Sequence, residues 1–130
     1  MDIVSALFCE KFDMRQVPGP ATRIDLSGVM FSTPAPSNPP VTITPHLVVL
    51  VRCRPEEKGS AVLEVVFTDE DGKEVARNVS PFTVEPGKFT YRLVRGELTY
   101  EALATVEAHC RVDQGQTIVV PLTLLPPVQS

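Results

Sequence analysis

HLVVLVRCRPEEKGSAVLEVVFTD, residues 46–69, is the densest run of branched apolar side chains in the sequence, and its pattern decides the fold class. From His46 to Arg54, Leu47, Val49, Val51 and Cys53 fall on one face, with Val48 and Leu50 on the other. That period of two belongs to a strand. Pro55-Glu56-Glu57-Lys58-Gly59 is a polar connection ending on glycine. From Ala61 to Asp69 the pattern returns, with Ala61, Leu63, Val65 and Phe67 on one face and Val62, Glu64, Val66 and Thr68 on the other. Burying Leu63, Val65 and Phe67 alone is worth about 4–9 kcal/mol. Both segments therefore read as central strands. Their second face, carrying Val48, Leu50, Val62 and Val66, needs a cover from elsewhere in the chain or from another molecule. It is the candidate interaction face.

Outward from this pair, the alternation continues. Asp69-Glu70-Asp71-Gly72-Lys73 has the residues of a tight hairpin turn, and Glu74 to Val79 returns as a strand near an edge, because Pro81 follows. Pro86-Gly87 turns again. Lys88 to Val94 sets Phe89, Tyr91 and Leu93 against Lys88, Thr90 and Arg92. Residues 95–104 fit one helical turn or a bulged strand. Ala102 to Val112 places Ala104, Val106, Ala108, Cys110 and Val112 on one face. Asp113–Gln116 forms a turn, and Thr117 to Leu125 pairs back with Ile118, Val120, Leu122 and Leu124 inward. Residues 126–130, opened by Pro126-Pro127, read as a flexible tail.

Towards the N-terminus, Ile3 to Cys9 is a strand apolar on both sides or a short helix, and Val17–Pro20 breaks regular structure. Arg23 to Phe31 alternates, with Gly28 marking a bulge or a close approach of backbone. Residues 32–45, STPAPSNPPVTITP, form a proline-rich crossing loop between sheets. They lack the PxxP with flanking basic residues of a polyproline ligand.

The chain has 130 residues, 13 of them proline, which excludes a mainly helical protein and bounds the fold to one domain over 1–130. Hydrophobic content of 43% supports a real core. A net charge of −4 argues against nucleic acid, which is held by neutralising phosphates. No apolar run is long enough to span a membrane, and Ile3–Cys9 has neither the basic start nor the length of a signal peptide. Three widely spaced cysteines, Cys9, Cys53 and Cys110, suit a reducing compartment, so a cytoplasmic protein is expected. Seven to nine short strands punctuated by Gly and Pro predict an all-β fold: a single antiparallel β-sandwich, immunoglobulin-like in broad architecture.

Four stretches, IDLSGVMFSTPAP (24–36), LVVLVRCRPEE (47–57), VVFTDEDGKEV (65–75) and AHCRVDQGQTIVVPLTLL (108–125), occur in an order that resembles an uncharacterised family of small bacterial all-β proteins. The resemblance spans most of the chain. It implies a bacterial, intracellular β-sandwich protein and carries no catalytic residues.

Chemistry-bearing residues are sparse. Nucleophilic catalysis needs Cys or Ser beside His. His109 adjoins Cys110, but neighbours on a strand face opposite ways, which leaves a small Cys-dependent hydrolase as a poor alternative. Cys9, Cys53, Cys110, His46 and His109 lack zinc-ligand spacing, and no cofactor is expected. Asp69, Glu70 and Asp71 are weak candidates for Ca²⁺, since one acidic turn rarely supplies six to eight oxygens. Arg52, Arg54, Arg92 and Arg95 are candidates for a shared basic surface. The expected function is a non-enzymatic protein-interaction or structural accessory module, with a protein partner or a homodimer. The alternative is a ligand- or Ca-binding domain using the Asp69–Asp71 loop.

Overall fold

Period-two patterning predicts strands along most of the chain, and the regular elements of the described residues are all strands. In the computed structural model, which describes residues 1–19 and 21–128, the order is β1 (Asp2–Val17), β2 (Ala21–Met30), β3 (Ser32–Pro34), β4 (Val41–Ile43), β5 (His46–Arg52), β6 (Ser60–Thr68), β7 (Glu74–Thr83), β8 (Phe89–Arg95), β9 (Leu98–Tyr100), β10 (Thr105–Val112) and β11 (Ile118–Leu125). Among the described residues there is no helix. Eleven strands stand where seven to nine were expected. The additional ones are short: β3 and β4 lie inside the proline-rich crossing, and β9 makes residues 98–100 a strand. Pro20 of the Val17–Pro20 break, and residues 129–130 of the expected tail, lie outside the described residues.

Three sheets result. The first has the order β2-β1-β5-β8, the second β3-β11-β10-β6-β7, and the third is the pair β4-β9. Neighbours are antiparallel except β3 and β11, which run parallel, so the wholly antiparallel expectation is corrected. The cause is chain path. The segment leaving β2 joins the far edge of the second sheet, where Pro34 lies opposite Leu125 and its missing N–H is tolerated.

β5 and β6 are central, as their double-sided patterning predicts, but they are not partners. β5 lies between β1 and β8, and β6 between β10 and β7. The polar connection after Arg52 carries the chain from one sheet to the other. One buried apolar cluster draws on all three sheets. The first contributes Phe8, Leu47, Val49, Val51 and Val94; the second Leu63, Val65, Phe67, Ala108, Cys110, Leu122 and Leu124; the third Val41, Leu98 and Tyr100. Alternate residues of β5 and β6, beginning at Leu47 and Ala61, therefore face one core.

The outward face of the first sheet has its own cover. β1 is long because its first half pairs with β5 and its second half with β2. The ladder skips Glu10 and Gly28, and Gly28 has φ +66°, a conformation favoured by glycine. Beyond this point the β1–β2 hairpin forms an arm that lies back over the sheet. Ile24 and Leu26 of the arm enclose a cavity of about 110 Å³ with Ser5, Leu7, Val48 and Leu50 of β1 and β5. The Phe12 ring meets His46 edge-on at 5.6 Å, and the Tyr91 hydroxyl donates to Met14 Sδ at 2.9 Å. The arm's other face is charged, with Lys11, Asp13 and Arg15 at alternate positions of β1 beside Arg23 and Asp25 of β2. Arg15 pairs with Asp25 at 2.7 Å.

Candidate functional site

The four residues of the candidate interaction face do not share a surface. Val48 and Leu50 are on β5, opposite Leu7 and Ser5 and under the arm, and Val48 is only 3% exposed. Val62 and Val66 are on β6, on the outward face of the other sheet. That second face is mixed, with exposed Val62, Val79 and Val119 standing among charged residues. Glu64 accepts from Arg77 at 2.9 Å and Arg111 at 3.4 Å, and His109 Nε2 lies 2.9 Å from Thr68 Oγ1. Cross-strand ion pairs of this kind mark a solvated surface.

The open sheet edges differ sharply. β7 forms one edge, and Pro81 lies within it, opposite Val62. The Val62 carbonyl accepts from the Asp113 N–H at 3.0 Å, and its N–H donates to Asp113 Oδ1, so Val62 turns its backbone away from β7. By antiparallel alternation the Pro81 nitrogen faces the open side, where a strand donor would otherwise stand. β3 has three residues including Pro34, and the part of β11 it leaves uncovered carries Pro121. The arm edges carry charges at alternate positions.

β8, Phe89–Arg95, has none of these features. It pairs with β5 on one side only. The Cys53 N–H donates to the Lys88 carbonyl at 3.0 Å, in register with the β5–β8 ladder. Thr90, Arg92 and Val94 therefore turn their backbone groups to β5, while Phe89, Tyr91 and Leu93, with Arg95 at the strand's end, turn theirs to the open side. The side chains of that same trio face outward, because Tyr91 and Leu93 are opposite Leu50 and Val48. Phe89 is 63% exposed and Leu93 37%. A groove of about 480 Å³ runs along the strand, lined by Phe12 and Met14 of the arm and by Thr90, Tyr91, Arg92 and Leu93. The sequence displays the Phe89–Tyr91–Leu93 alternation but not its direction, which only the pairing with β5 sets.

Arg92 takes the inward side of β8. Its guanidinium reaches the Ser80 hydroxyl and stands over the Phe82 ring, 5.7 Å from the centroid. Arg54 instead pairs with Asp2 at 3.0 Å. Arg52 and Arg95 are at opposite ends of the first sheet, opposite Phe89 and His46. The four arginines form no common basic surface.

The remaining candidates resolve into local structure. Asp69 Oδ1 accepts the N–H groups of Asp71 at 3.0 Å and Lys73 at 2.9 Å, holding the β6–β7 turn. Glu70 Oε1 accepts the Thr105 N–H at 2.9 Å. Asp69, Glu70 and Asp71 line a concavity of about 400 Å³ that also includes Lys73 and Glu101. Two of its carboxylates are thus already engaged by backbone donors. Among the described residues no three His, Cys, Asp or Glu side chains converge as a metal set. Cys9, Cys53 and Cys110 are buried and unpaired. Burial pushes the Cys110 thiol up to about 12, so it keeps its proton at neutral pH, and it points into the core away from His109. No helix among the described residues is long and apolar enough to cross a membrane. The chain matches no protein-family model, and no curated protein matches it.

Proposed function

We propose that the chain is a non-enzymatic protein-interaction module that takes an extended segment of its partner as an added strand along β8. We read the all-β fold behind it as a single β-sandwich, immunoglobulin-like in broad architecture, with the two larger sheets on either side of a core that the β4–β9 pair also joins. The observation that carries the reading is the contrast between edges: β8 keeps the N–H and C=O groups of Phe89, Tyr91, Leu93 and Arg95 outward beside exposed Phe89 and Leu93, whereas the other edges are short, charged or interrupted by proline. Added strands bind through the main chain, and side-chain pockets select the sequence. The groove between the arm and β8 supplies such a pocket. Unpaired thiols support a reducing, cytoplasmic setting, and the bacterial origin rests on the family resemblance.

The test is capture of a partner by the immobilised full chain, wild type against Leu93→Pro. This substitution removes an N–H that faces the open side and spares the bonds from β8 to β5. A partner held by the wild type and lost by a folded Leu93→Pro protein supports the reading. Equal retention by both overturns it.

A further inference from the structure

Resting on that reading, we infer that β8 pairs with β8 of a second copy, antiparallel about a two-fold axis at Tyr91. Symmetry limits the registers. In an antiparallel pair, opposed residues face the same side of the sheet, so the axis must bring a residue opposite its own copy. By the same alternation the open-side backbone groups belong to Phe89, Tyr91, Leu93 and Arg95. Centring on Tyr91 opposes Tyr91 to Tyr91 and Phe89 to Leu93 of the second copy. The Phe89, Tyr91 and Leu93 sets are then matched among themselves, closing about six backbone hydrogen bonds, and Arg95 falls opposite Gly87 of the second copy, beyond its strand.

The side chains agree with this register. On the outward face, exposed Phe89 of one copy meets exposed Leu93 of the other, an aromatic–aliphatic cross-strand pair. Leu93 lines the groove that Phe12 and Met14 overhang, so Phe89 of the second copy arrives at its mouth. By symmetry each copy supplies one ring and one groove. On the inward face Arg92 is opposed to Thr90, and Lys88 to Val94, so no like charges meet. The neighbouring registers are poorer. Centring on Arg92 matches all four open-side sets, but it places the two Arg92 residues opposite each other and Phe89 against Arg95, which breaks the aromatic–aliphatic pairing. Centring on Thr90 puts Leu93 opposite Gly87, in the turn before the strand, and leaves it without a side-chain partner. β7, on the same flank, carries Pro81 and does not compete for the strand. The product is one continuous eight-stranded sheet through two copies, formed from the four-stranded first sheet of each.

The experiment combines light scattering over a wide concentration range with single-cysteine cross-linking of the full chain. Cys9, Cys53 and Cys110 are buried and do not compete under mild oxidation without denaturant. The wild type is expected to shift from monomer to dimer with concentration. Tyr91→Cys places a thiol beside the axis and is expected to form a disulfide-linked dimer, whereas Arg92→Cys, opposed to Thr90, is not. Phe89→Ser removes an exposed ring, leaves folding intact, and is expected to weaken the dimer at least about tenfold. A strict monomer, or cross-linking by Arg92→Cys in place of Tyr91→Cys, overturns the pairing. If the monomer still captures another protein in a manner lost in Leu93→Pro, self-pairing fails and the interaction module survives. If capture is indifferent to Leu93→Pro, both fail.

Discussion

Gly59→Ala is expected to cost about 2–4 kcal/mol of stability, far more than an ordinary loop substitution. Gly59 ends the β5–β6 connection where it runs against the connection from β7 to β8. A Cβ there would be 1.9 Å from the Val84 carbonyl oxygen and 3.1 Å from its carbon. Ordinary contact begins at 3.4 Å, so the two main chains must part by roughly 1.5 Å. The obstacle is backbone, which has no rotamer to yield. The Val84 N–H donates to the Gly59 carbonyl at 2.7 Å, and the Gly87 N–H donates to the Cys53 carbonyl at 3.0 Å in the same seam. Losing one such bond costs about 1 kcal/mol. Displacing Val84, half-buried against the core two residues after Phe82, adds about 1–3 kcal/mol of misfit packing. Gly72→Ala is the control. Gly72 has φ +80°, but a methyl placed on it would meet nothing within 4 Å, so only the backbone conformation is penalised, by about 1–2 kcal/mol. Urea and thermal unfolding of the two variants separate the contributions, at about 3–5 °C of Tm per kcal/mol for this size. A Gly59→Ala protein as stable as Gly72→Ala would refute the steric reasoning.

Three further outcomes are open to measurement. Burial raises the Cys110 thiol from 9.0 to about 12, and Tyr100 is raised by the same cause. A raised acid is fully protonated in both states below its unfolded value, so stability is complete below about pH 9 and falls towards pH 12. The slope from one thiol is about 1.4 kcal/mol per pH unit, and Cys110→Ala should flatten the alkaline limb seen in urea titrations at successive pH. Asp69→Ala removes the acceptor of two turn N–H groups and should cost about 1 kcal/mol, while millimolar Ca²⁺ leaves the wild-type Tm unchanged in calorimetry. Tyr100→Phe deletes the buried bond from its hydroxyl to the Leu122 carbonyl, 2.8 Å long, and should cost about 1–2 kcal/mol in equilibrium unfolding.

Much of the core was legible because alternation is a local property. Leu47, Val49, Val51, Leu63, Val65, Phe67, Val106, Ala108, Cys110 and Leu122 are buried where the period of two places them inward. The Asp69 turn was legible for the same reason, since its chemistry is contained in one short stretch. Pairing was not. A polar connection such as Pro55–Gly59 reads alike whether it closes a hairpin or crosses between sheets, and here it crosses. That crossing sends Val48 and Val62 to opposite sides of the molecule. The arm depends on a reversal at Glu10 and Gly28, and Gly28 was its only local trace. Residues 98–100 gave no clear period because so short a segment cannot show one, and β4 alone pairs with them.

A single exposed phenylalanine needs no explanation, since folded surfaces are largely apolar. What singles out β8 is the coincidence of three features on one strand. Its register against β5 turns the side chains of Phe89, Tyr91 and Leu93 outward, and the same register turns their N–H and C=O groups to the open side. The arm covers Val48 and Leu50 and reaches Tyr91 through Met14, yet leaves a groove along β8 rather than a seal. Unprotected edges are an aggregation hazard, and this chain blunts its others with Pro34, Pro81, Pro121 and alternating charge. The proposed two-fold pairing at Tyr91 would close this edge on a second copy. It needs no new residue, because Phe89 and the groove beside Leu93 are already spaced symmetrically about the axis.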